Sequence, residues 1–575
     1  MFNAFDPAKI LRNMSLFTVR AFDRIKMKNT HTLSPLLNLD VLLTVMSLSD
    51  ARTISRLMRA SRELYPQGPK YLLREAVDLE SASHVTSFVA FMRADHPRRL
   101  PLLDSLCIQT GPLPTAESGV LEEFLVDCGP LLDAKRLCIK RAEEFFKSRP
   151  GLARAFGLLR HIKHLAVSEV GPHTSVFLHD FQSSLVFADL EMIPFNYDGA
   201  VLRVGEDGLD ADEEAEESFR NSITDGYRNP ILLLRNSQET LKSLDVRSCG
   251  TMPTLGSSDQ YKECYPAVHK LTLAANKLPN TLHYARAFPN VHTITFRIDP
   301  PQLEILGENL ADFRAFRDAN MHHLAEYTGP QWPSLKAVHG ALTEHFLLGL
   351  ACPVEQVHID GPYMNAMMFH SMLADTRPKY VYFHAFDVDM FEDGEFDELM
   401  SGPLLAPVRC FDIMVAFGGV LQPEQVDVPA ALVSCPAALA SCNVCSRAFW
   451  QDALIEGISN VPSLRSFGLS LGCFGLQPDG ELLKDVAHPA PLCPAEEYLR
   501  DLDLNALAHR IRTAVPRLQT VTVSLIGHRA RRNDLTVSGE YEGYDVGAVE
   551  TLPLMHAARI VAYTFTKQST LALLE

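Results

Sequence analysis

The stretch that decides the fold is "YPAVHKLTLAANKL" (residues 265–278). Its apolar residues fall at neither helical spacing nor simple alternation, because Val268 stands three residues before Leu271 and Leu273 follows two residues after it. Alternate residues of a β-strand point to the same side, so Leu271 and Leu273 predict a short strand with one buried face. The polar Asn276 predicts a bend after that strand, in which its side chain hydrogen-bonds backbone groups.

This spacing is the leucine-rich-repeat pattern L-x-x-L-x-L-x-x-N-x-L. One unit earlier, "LKSLDVRSC" (241–249) places Leu244 27 residues before Leu271, within the repeat's usual period of about 20–29 residues. Weaker copies begin with a proline, which ends a preceding helix and favours an extended chain. They are "FPNVHTITF" (288–296), "WPSLKAVHG" (332–340), "VPSLRSFGL" (461–469) and "VPRLQTVTV" (515–523).

A series of central strand residues can be placed along the chain, mostly at steps of about 20–30 residues. The series is Leu106, Leu137, Leu165, Leu190, Leu244, Leu271, Ile294, Val338, Val357, Val381, Phe411, Cys442, Phe467 and Val521. Longer steps coincide with an acidic loop insert near 204–220, with the helix-like segment 310–327, and with an extended loop before Val521. Helical spacing between strands, as in "NTLHYARAF" (280–288), completes the alternation.

These patterns predict an α/β fold for residues 81–575, an irregular leucine-rich-repeat solenoid. We expect a right-handed horseshoe with parallel strands on the concave face and helices outside. Before it we expect a flexible N-terminal extension at 1–34 and a helical module at 35–80.

Composition narrows the possible partners and compartments. A net charge of −17 argues against general affinity for nucleic acid or for anionic membrane surfaces, which both favour clustered cations. Twelve cysteines spread over 575 residues, without a dense framework, favour reduced thiols in the cytoplasm or nucleus. No apolar run reaches the length of a membrane span, which favours a protein in solution.

The N-terminal module is "PLLNLDVLLTVMSLSDARTISRLMRASRELYPQGPKYLLRE" (35–75). The apolar residues after Asp40 predict one short helix, and Ser49 or Asp50 can cap a second helix that carries Ile54 and Leu57 on one face. A module of this size buries little apolar surface on its own. It therefore needs a partner or the solenoid beside it.

This segment resembles the F-box, and the whole chain resembles fungal F-box proteins with leucine-rich-repeat-like tails. The resemblance begins at Leu37, Leu39 and Asp40 and continues through the apolar positions of both helices. Asn38 stands where the family usually has proline, and Leu64 with Tyr65 replaces the usual tryptophan region.

The resemblance implies that the module binds a Skp-type adaptor, which joins it to a cullin scaffold in a ubiquitin ligase. The adaptor contacts it implies are Leu37, Val41, Leu42, Val45, Met46, Leu57 and Met58. The alternative is that the same residues seal the N-terminal end of the solenoid, as repeat proteins require.

The strand register predicts a row of outward side chains across neighbouring strands, about 4.8 Å apart. The row is Asp245, Thr272, Thr295, His339, His358, Tyr382, Asp412, Asn443, Gly468 and Thr522, and the next column includes Arg247, Arg297, Asp360, His384 and Ser470. Its chemically rich part is His339, His358, Asp360, Tyr382, His384 and Asp412. Three interpretations compete: a partner-binding patch, an ordinary polar face, or a metal site, for which a shallow sheet is a poor scaffold.

Two further motifs suggest other chemistry. "GLSLG" (468–472) has the G-x-S-x-G spacing of a hydrolase nucleophile elbow centred on Ser470. That motif needs a helix directly after the serine, but the residues that follow include glycine and proline, which disfavour a helix. "CNVC" (442–445) lacks the second cysteine or histidine pair of a zinc finger. In the repeat register Cys442 is a core residue.

We therefore expect a non-enzymatic substrate receptor, without a cofactor or metal, whose solenoid selects an unknown protein for ubiquitination. We expect it to bind neither nucleic acid nor membranes. A protein-interaction scaffold of the same fold that never joins a ligase is the alternative, and a Ser470 hydrolase is a distant third.

Overall fold

The structure is a computed structural model that describes most of the chain in separate segments. The described residues are 38–74, 76–193, 229–249, 262–275, 278–298, 310–327, 329, 331–361, 364–391, 394–417, 449–472, 492, 494–528, 531 and 535–538. Two expectations, the flexible extension at 1–34 and the acidic insert near 204–220, lie outside these residues, as does Asn276. The chain divides into two compact units, 1–75 and 76–575.

The described part of the first unit is helical, which confirms the two predicted helices and adds a third. Its helices are α1 (Leu39–Ser47), α2 (Ala51–Ala60) and α3 (Gly68–Leu72). At the start of α1 the Asn38 side chain accepts the N–H of Asp40 at 3.2 Å, and at the start of α2 Asp50 accepts the N–H of Thr53 at 2.6 Å. Such caps satisfy backbone donors that a helix start leaves unpaired, so they fix where each helix begins.

The second unit is an α/β structure whose described residues form one open sheet of fifteen strands. They are β1 (Ala76–Leu79), β2 (Ser105–Ile108), β3 (Arg136–Ile139), β4 (His164–Val170), β5 (Phe187–Met192), β6 (Ser243–Cys249), β7 (Lys270–Ala275), β8 (Thr293–Ile298), β9 (Leu335–Ala341), β10 (Val354–Asp360), β11 (Tyr380–Asp387), β12 (Cys410–Ala416), β13 (Ser466–Gly472), β14 (Thr520–Ile526) and β15 (Leu535–Ser538). Strands β1 to β14 are parallel and lie in chain order, whereas β15 pairs antiparallel with β14. This order is consistent with a solenoid-like α/β class.

Helices connect most of the strands. The described helices of this unit are α4 (Ala82–Ala94), α5 (His96–Arg99), α6 (Thr115–Cys128), α7 (Ala142–Ser148), α8 (Pro150–Gly157), α9 (Pro172–Asp180), α10 (Pro230–Leu233), α11 (Thr281–Ala287), α12 (Leu310–Glu326), α13 (Leu342–Leu348), α14 (Ala366–Thr376), α15 (Glu395–Leu399), α16 (Phe449–Ser459), α17 (Pro494–Asp501) and α18 (Leu504–Ala514). Helix α12 confirms the helix predicted over 310–327.

The core lies between one face of the sheet and the helices. In β7, Leu271 and Leu273 are buried, whereas Thr272 between them is half-buried on the opposite face. The helices supply the other side of the core, as where the rings of Phe369 in α14 and Phe383 in β11 lie 5.5 Å apart. Burial of each large apolar side chain contributes about 1.5–3 kcal/mol, so the repeated strands are the main source of stability.

The pairing register confirms most of the predicted central residues, because they lie on one continuous ladder across β2 to β14. The confirmed residues are Leu106, Leu137, Leu165, Leu244, Leu271, Ile294, Val338, Val357, Val381, Phe411, Phe467 and Val521. The described members of the row of outward side chains are therefore also in the predicted order, whereas Asn443 lies outside the described residues.

One central position was predicted wrongly. In β5 it is Ala188 that pairs with Leu165 and Leu244, so Leu190 occupies the second inward position. Ala188 and Leu190 are both apolar and two residues apart, so spacing alone cannot tell which of them lies on the central ladder. The predicted central position Cys442 lies outside the described residues.

The boundaries of the sheet also differ from the prediction. Strand β1 begins at Ala76, before the expected boundary at 81, and its four residues are too few to give a clear alternating pattern. Strand β15 has the same length and runs antiparallel, which a pattern for parallel repeats does not predict.

Candidate functional site

The predicted adaptor contacts differ in how far they reach the surface of the first unit. Val41 in α1 is 47% exposed, and Leu42, Val45 and Leu57 are half-buried. These four side chains can contact a partner without rearrangement of the helices. Leu37 lies outside the described residues.

Met46 and Met58 are buried, at 0% and 6% exposed. The side chain of Met58 lies so close to Gly68, the first residue of α3, that a Cβ at that glycine would collide with it. A periodic apolar pattern marks the faces of a helix but does not say which face turns inward. As folded, these two methionines contribute to the interior and offer no surface to an adaptor.

Apolar surface in the first unit also comes from residues that the resemblance did not mark as contacts. Leu39 is 39% exposed, Leu48 is 70% exposed, and Tyr65 is 49% exposed. Leu48 directly follows the last residue of α1, and beyond that point side chains no longer follow the helical face. Helical spacing alone could not have placed it.

In the second unit, the structure brings the six predicted patch residues together on four adjacent strands. His339 on β9 pairs with His358 on β10, which pairs with Tyr382 on β11. Tyr382 in turn pairs with Asp412 on β12. In the next column Asp360 pairs with His384. Their joint placement confirms the predicted register, and their role in binding stays a prediction.

Three of these side chains form a stack of parallel rings, which we call the ring stack: His339, His358 and Tyr382. The centroids of His339 and His358 lie 4.0 Å apart with planes 15° apart, and those of His358 and Tyr382 lie 4.3 Å apart with planes 7° apart. His358 thus has a ring on each face and is buried. Neighbouring strands place equivalent side chains at a spacing close to the centroid separation of two stacked rings. The sheet therefore brings the three rings into stacking distance.

Hydrogen bonds fix the orientation of the central histidine. His358 Nδ1 lies 3.3 Å from His384 Nε2, so one of the two nitrogens carries a hydrogen and donates a hydrogen bond to the other. Beneath them the buried His345 in α13 donates from Nε2 to the carbonyl oxygen of His358 at 2.9 Å. Sequence spacing did not identify His345, because its helix position alone gives no sign of contact with the strand.

The histidines of this cluster are held neutral. Burial, together with the smaller effect of neighbouring histidines, lowers the pKa of His339 to about 3 and that of His358 to about 2. Burial also lowers the pKa of His384, against the opposing effect of the Asp360 charge. A neutral ring stack offers aromatic faces and hydrogen-bonding edges but no positive charge at neutral pH.

Glu344, at the start of α13, is the buried carboxyl that sequence analysis missed. Its two oxygens accept the N–H groups of Ile298 and Ala341, each at 2.6 Å. Burial nevertheless raises its pKa to about 8, more than these hydrogen bonds lower it. Glu344 therefore joins the end of β8 to the end of β9.

Asp412 lies at the far end of the ring stack and is engaged by its neighbouring strand. A Cβ at Gly468, its partner on β13, would collide with the Asp412 carboxyl, so glycine makes room for that side chain. Burial raises the pKa of Asp412 to about 6, and a hydrogen bond from the Gly468 backbone lowers it in part. Asp412 therefore supports the patch from the side, rather than presenting a free carboxylate.

The face carries charged side chains on both sides of β9. Across the small Ala341, Arg297 on β8 lies 3.7 Å from the Asp360 carboxylate on β10. Farther along, Arg247 on β6 contacts Asp189 on β5 at 2.9 Å. The patch is therefore a neutral aromatic centre bordered by ion pairs that neighbouring strands share.

Ser470 is part of a strand and not of a nucleophile elbow. Strand β13 continues through Gly472, and Ser470 pairs with Met414 on β12 and Ser524 on β14. Its Oγ lies 2.8 Å from the Oγ of Ser524. An elbow needs a sharp turn at the serine, so this geometry does not fit the hydrolase interpretation. The "CNVC" motif at 442–445 lies outside the described residues.

The described segments contain no cluster of three or more histidine, cysteine, aspartate or glutamate side chains placed to hold a metal ion. Within the same segments, every helix is too short or too polar to cross a bilayer.

Comparison with known proteins adds no family. Neither a scan against protein-family models nor a search of curated proteins finds a match for this sequence. Function must therefore be argued from the chemistry of the two units.

Proposed function

We propose that this protein is a non-enzymatic substrate receptor of a cullin-based ubiquitin ligase. In this proposal the helices of the first unit bind a Skp-type adaptor, and the polar face of the sheet binds the protein to be ubiquitinated. The observation that carries the proposal is the exposed apolar surface of the small helical unit.

Four large apolar side chains of the described first unit make up that surface. Val41, Leu39, Leu48 and Tyr65 all expose more than a third of their area within residues 38–74. Several exposed apolar side chains within one small helical unit favour a protein-binding site. The resemblance of the same segment to the F-box names the class of partner, a Skp-type adaptor.

The second unit supports the other half of the proposal. We propose that it is leucine-rich-repeat-like, since its strands follow one another in chain order and carry the repeat's inward apolar pairs, as in Leu271 and Leu273. Sheets of this kind present long rows of outward side chains, which suit protein recognition more than catalysis. The ring stack is the part of this face with the most aromatic surface.

The proposal is tested by co-expression with a Skp-type adaptor and affinity purification. We expect wild type to retain the adaptor and a Val41→Asp, Leu48→Asp variant to lose it, because charges on exposed apolar positions disrupt docking while sparing the fold. The matched control is Leu131→Asp, at a residue of the second unit that is 63% exposed. Failure of the wild type to retain the adaptor, with the chain folded, would contradict the proposal.

One observation favours a second candidate, an interaction scaffold of the same fold that joins no ligase. Met46 and Met58, two of the seven adaptor contacts that the resemblance implies, are buried. A scaffold would use its polar face to bind a protein without an adaptor. The same purification distinguishes the two, since a scaffold retains partners of the second unit but neither adaptor nor cullin.

A further inference from the structure

Among the described residues the ring stack ends at His339, where a ring covers one face of the imidazole and not the other. His358 covers the face toward β10. Strand β9 lies between β8 and β10, so the other face of His339 turns toward β8. The residue paired with His339 on that side is Thr295, and Thr272 follows on β7.

The space beside this ring face is lined by small side chains. Thr295 and Thr272 are half-buried, and their neighbour Ala274 on β7 is half-buried as well. On β9 itself, the two residues that flank His339 on the same face are Ala337 and Ala341. We call this place the threonine slot; its floor is Thr272, Thr295 and Ala274, and its wall is the ring of His339.

The slot has the dimensions of one more ring in the stack. Successive rings of the stack lie 4.0 Å and 4.3 Å apart. Strands lie about 4.8 Å apart, so a ring placed one step beyond His339 would stand above Thr295. Thr295 provides no ring at that step, whereas the steps at β9, β10 and β11 are filled by rings.

Cations flank the slot, and most of the nearby carboxylates face other partners; the exception is Asp245, whose buried Oδ1 has no hydrogen-bond partner among the described residues. Lys270 on β7 and Arg297 on β8 are close enough that their charges lower the pKa of His339, after the larger effect of burial. Asp360 faces Arg297 from β10, on the far side of Ala341. On β5 and β6, Asp189 and Glu191 face Arg247, and Asp245 stands beyond Thr272.

We propose that the threonine slot binds an aromatic side chain of a partner protein, at a place where that partner also carries a carboxylate. The aromatic ring would stack on the neutral His339 above Thr295, and the carboxylate would pair with Lys270 and Arg297. The inference rests on the proposed function only in naming the partner as the ligase target; a scaffold's partner would use the same slot.

The test uses the purified full-length chain and small probes observed by nuclear magnetic resonance. N-acetyl-tyrosine carries both ring and carboxylate, and N-acetyl-tyrosine amide carries the ring alone. We expect the first to bind with a Kd in the millimolar range and the second about fivefold more weakly, the factor that one exposed ion pair gives.

Substitution locates the site. Thr295→Trp fills the slot from below and should abolish probe binding. If that variant does not fold, the smaller Thr295→Leu replaces it in the test and should weaken probe binding. The matched control is Thr522→Trp, in the same row on β14, which should bind the probes as wild type does. Thermal unfolding of each variant checks that the sheet remains folded.

Several outcomes would overturn the inference. They are absence of binding by either tyrosine probe, equal binding by folded Thr295→Trp, or tighter binding of N-acetyl-arginine amide, which would indicate a basic partner at Asp245 and Asp189. None of these measurements involves the adaptor. A chain that retains the adaptor but ignores the probes contradicts only the slot, and the reverse result contradicts only the ligase proposal.

Discussion

His358 shows how one residue can be polar, buried and still suited to its place. Its ring lies between His339 and Tyr382, and one ring nitrogen is hydrogen-bonded to His384. The two ring contacts and the hydrogen bond replace contacts that water would otherwise make with the imidazole. A neutral imidazole satisfies this arrangement, whereas a charged one would be buried without a carboxylate hydrogen-bonded to it.

The neutral histidines predict that acid destabilises the fold. Burial lowers the pKa of His339 to about 3, against about 6.5 in an unfolded chain. Between these values the unfolded chain binds the proton and the folded chain does not, so the free energy of unfolding falls as the pH drops below about 6.5. In His339→Phe this loss should be absent, and the variant should gain about 1 kcal/mol per pH unit relative to wild type between about pH 6 and pH 4.

Urea unfolding of both proteins across this pH range measures the effect. The carboxyls of Asp245 and Asp412, with pKa values raised by burial to about 6, act in the opposite direction but are present in both proteins. The difference between the two curves therefore reports His339 together with its smaller effect on the pKa of His358. Parallel curves would show that His339 is not held neutral.

A second residue-scale prediction concerns Glu344. Glu344→Ala leaves the buried N–H groups of Ile298 and Ala341 without an acceptor, at a cost of about 1–3 kcal/mol for each. We expect the urea midpoint to fall accordingly, and the exposed Glu355→Ala on β10 to change it little. Equal midpoints for Glu344→Ala and wild type would mean that these donors find other partners.

At the scale of elements, helix α12 is held to its neighbours by one buried amide. Asn320 donates to the carbonyl oxygens of Pro279, before α11, and of Leu347, in α13, both at 2.9 Å. It also accepts the N–H of Thr281 at 3.4 Å. A helix that lengthens one repeat is thereby locked to the helices on either side of it.

Asn320→Ala should therefore loosen three helices together. We expect a loss of about 3 kcal/mol in stability and faster hydrogen exchange in the first turn of α11, because buried backbone groups lose their partner. The matched control is His322→Ala on the same helix, where the side chain is exposed. Unchanged exchange in α11 would show that apolar packing alone holds α12.

The elements also show what the sequence could predict and what it could not. Alternation in a strand fixes which side chains share a face, so the order His339, His358, Tyr382 followed from the apolar positions around them. The parallel stacking of those rings could not be predicted, because it depends on side-chain torsions. Glu344 was missed because its two backbone partners come from different strands, which no local spacing records.

At the scale of the whole molecule, the division into two units gives a direct test of the first unit's role. If the helices are a docking module, a chain that begins at Ala76 should melt within a few degrees of the full-length chain. If they instead seal the repeat unit, removing them should expose the first strands. Thermal unfolding, with hydrogen exchange in β1 to β3, measures the difference.

The order of the strands has a consequence for how the protein is made. Within the described residues, each parallel strand pairs with the strands that precede or follow it directly in the strand order. During synthesis, every new strand that leaves the ribosome finds its neighbour already in place, and no strand must wait for a distant segment. Only β15 turns back, and it closes the growing edge of the sheet when the last of the described rungs has been laid down.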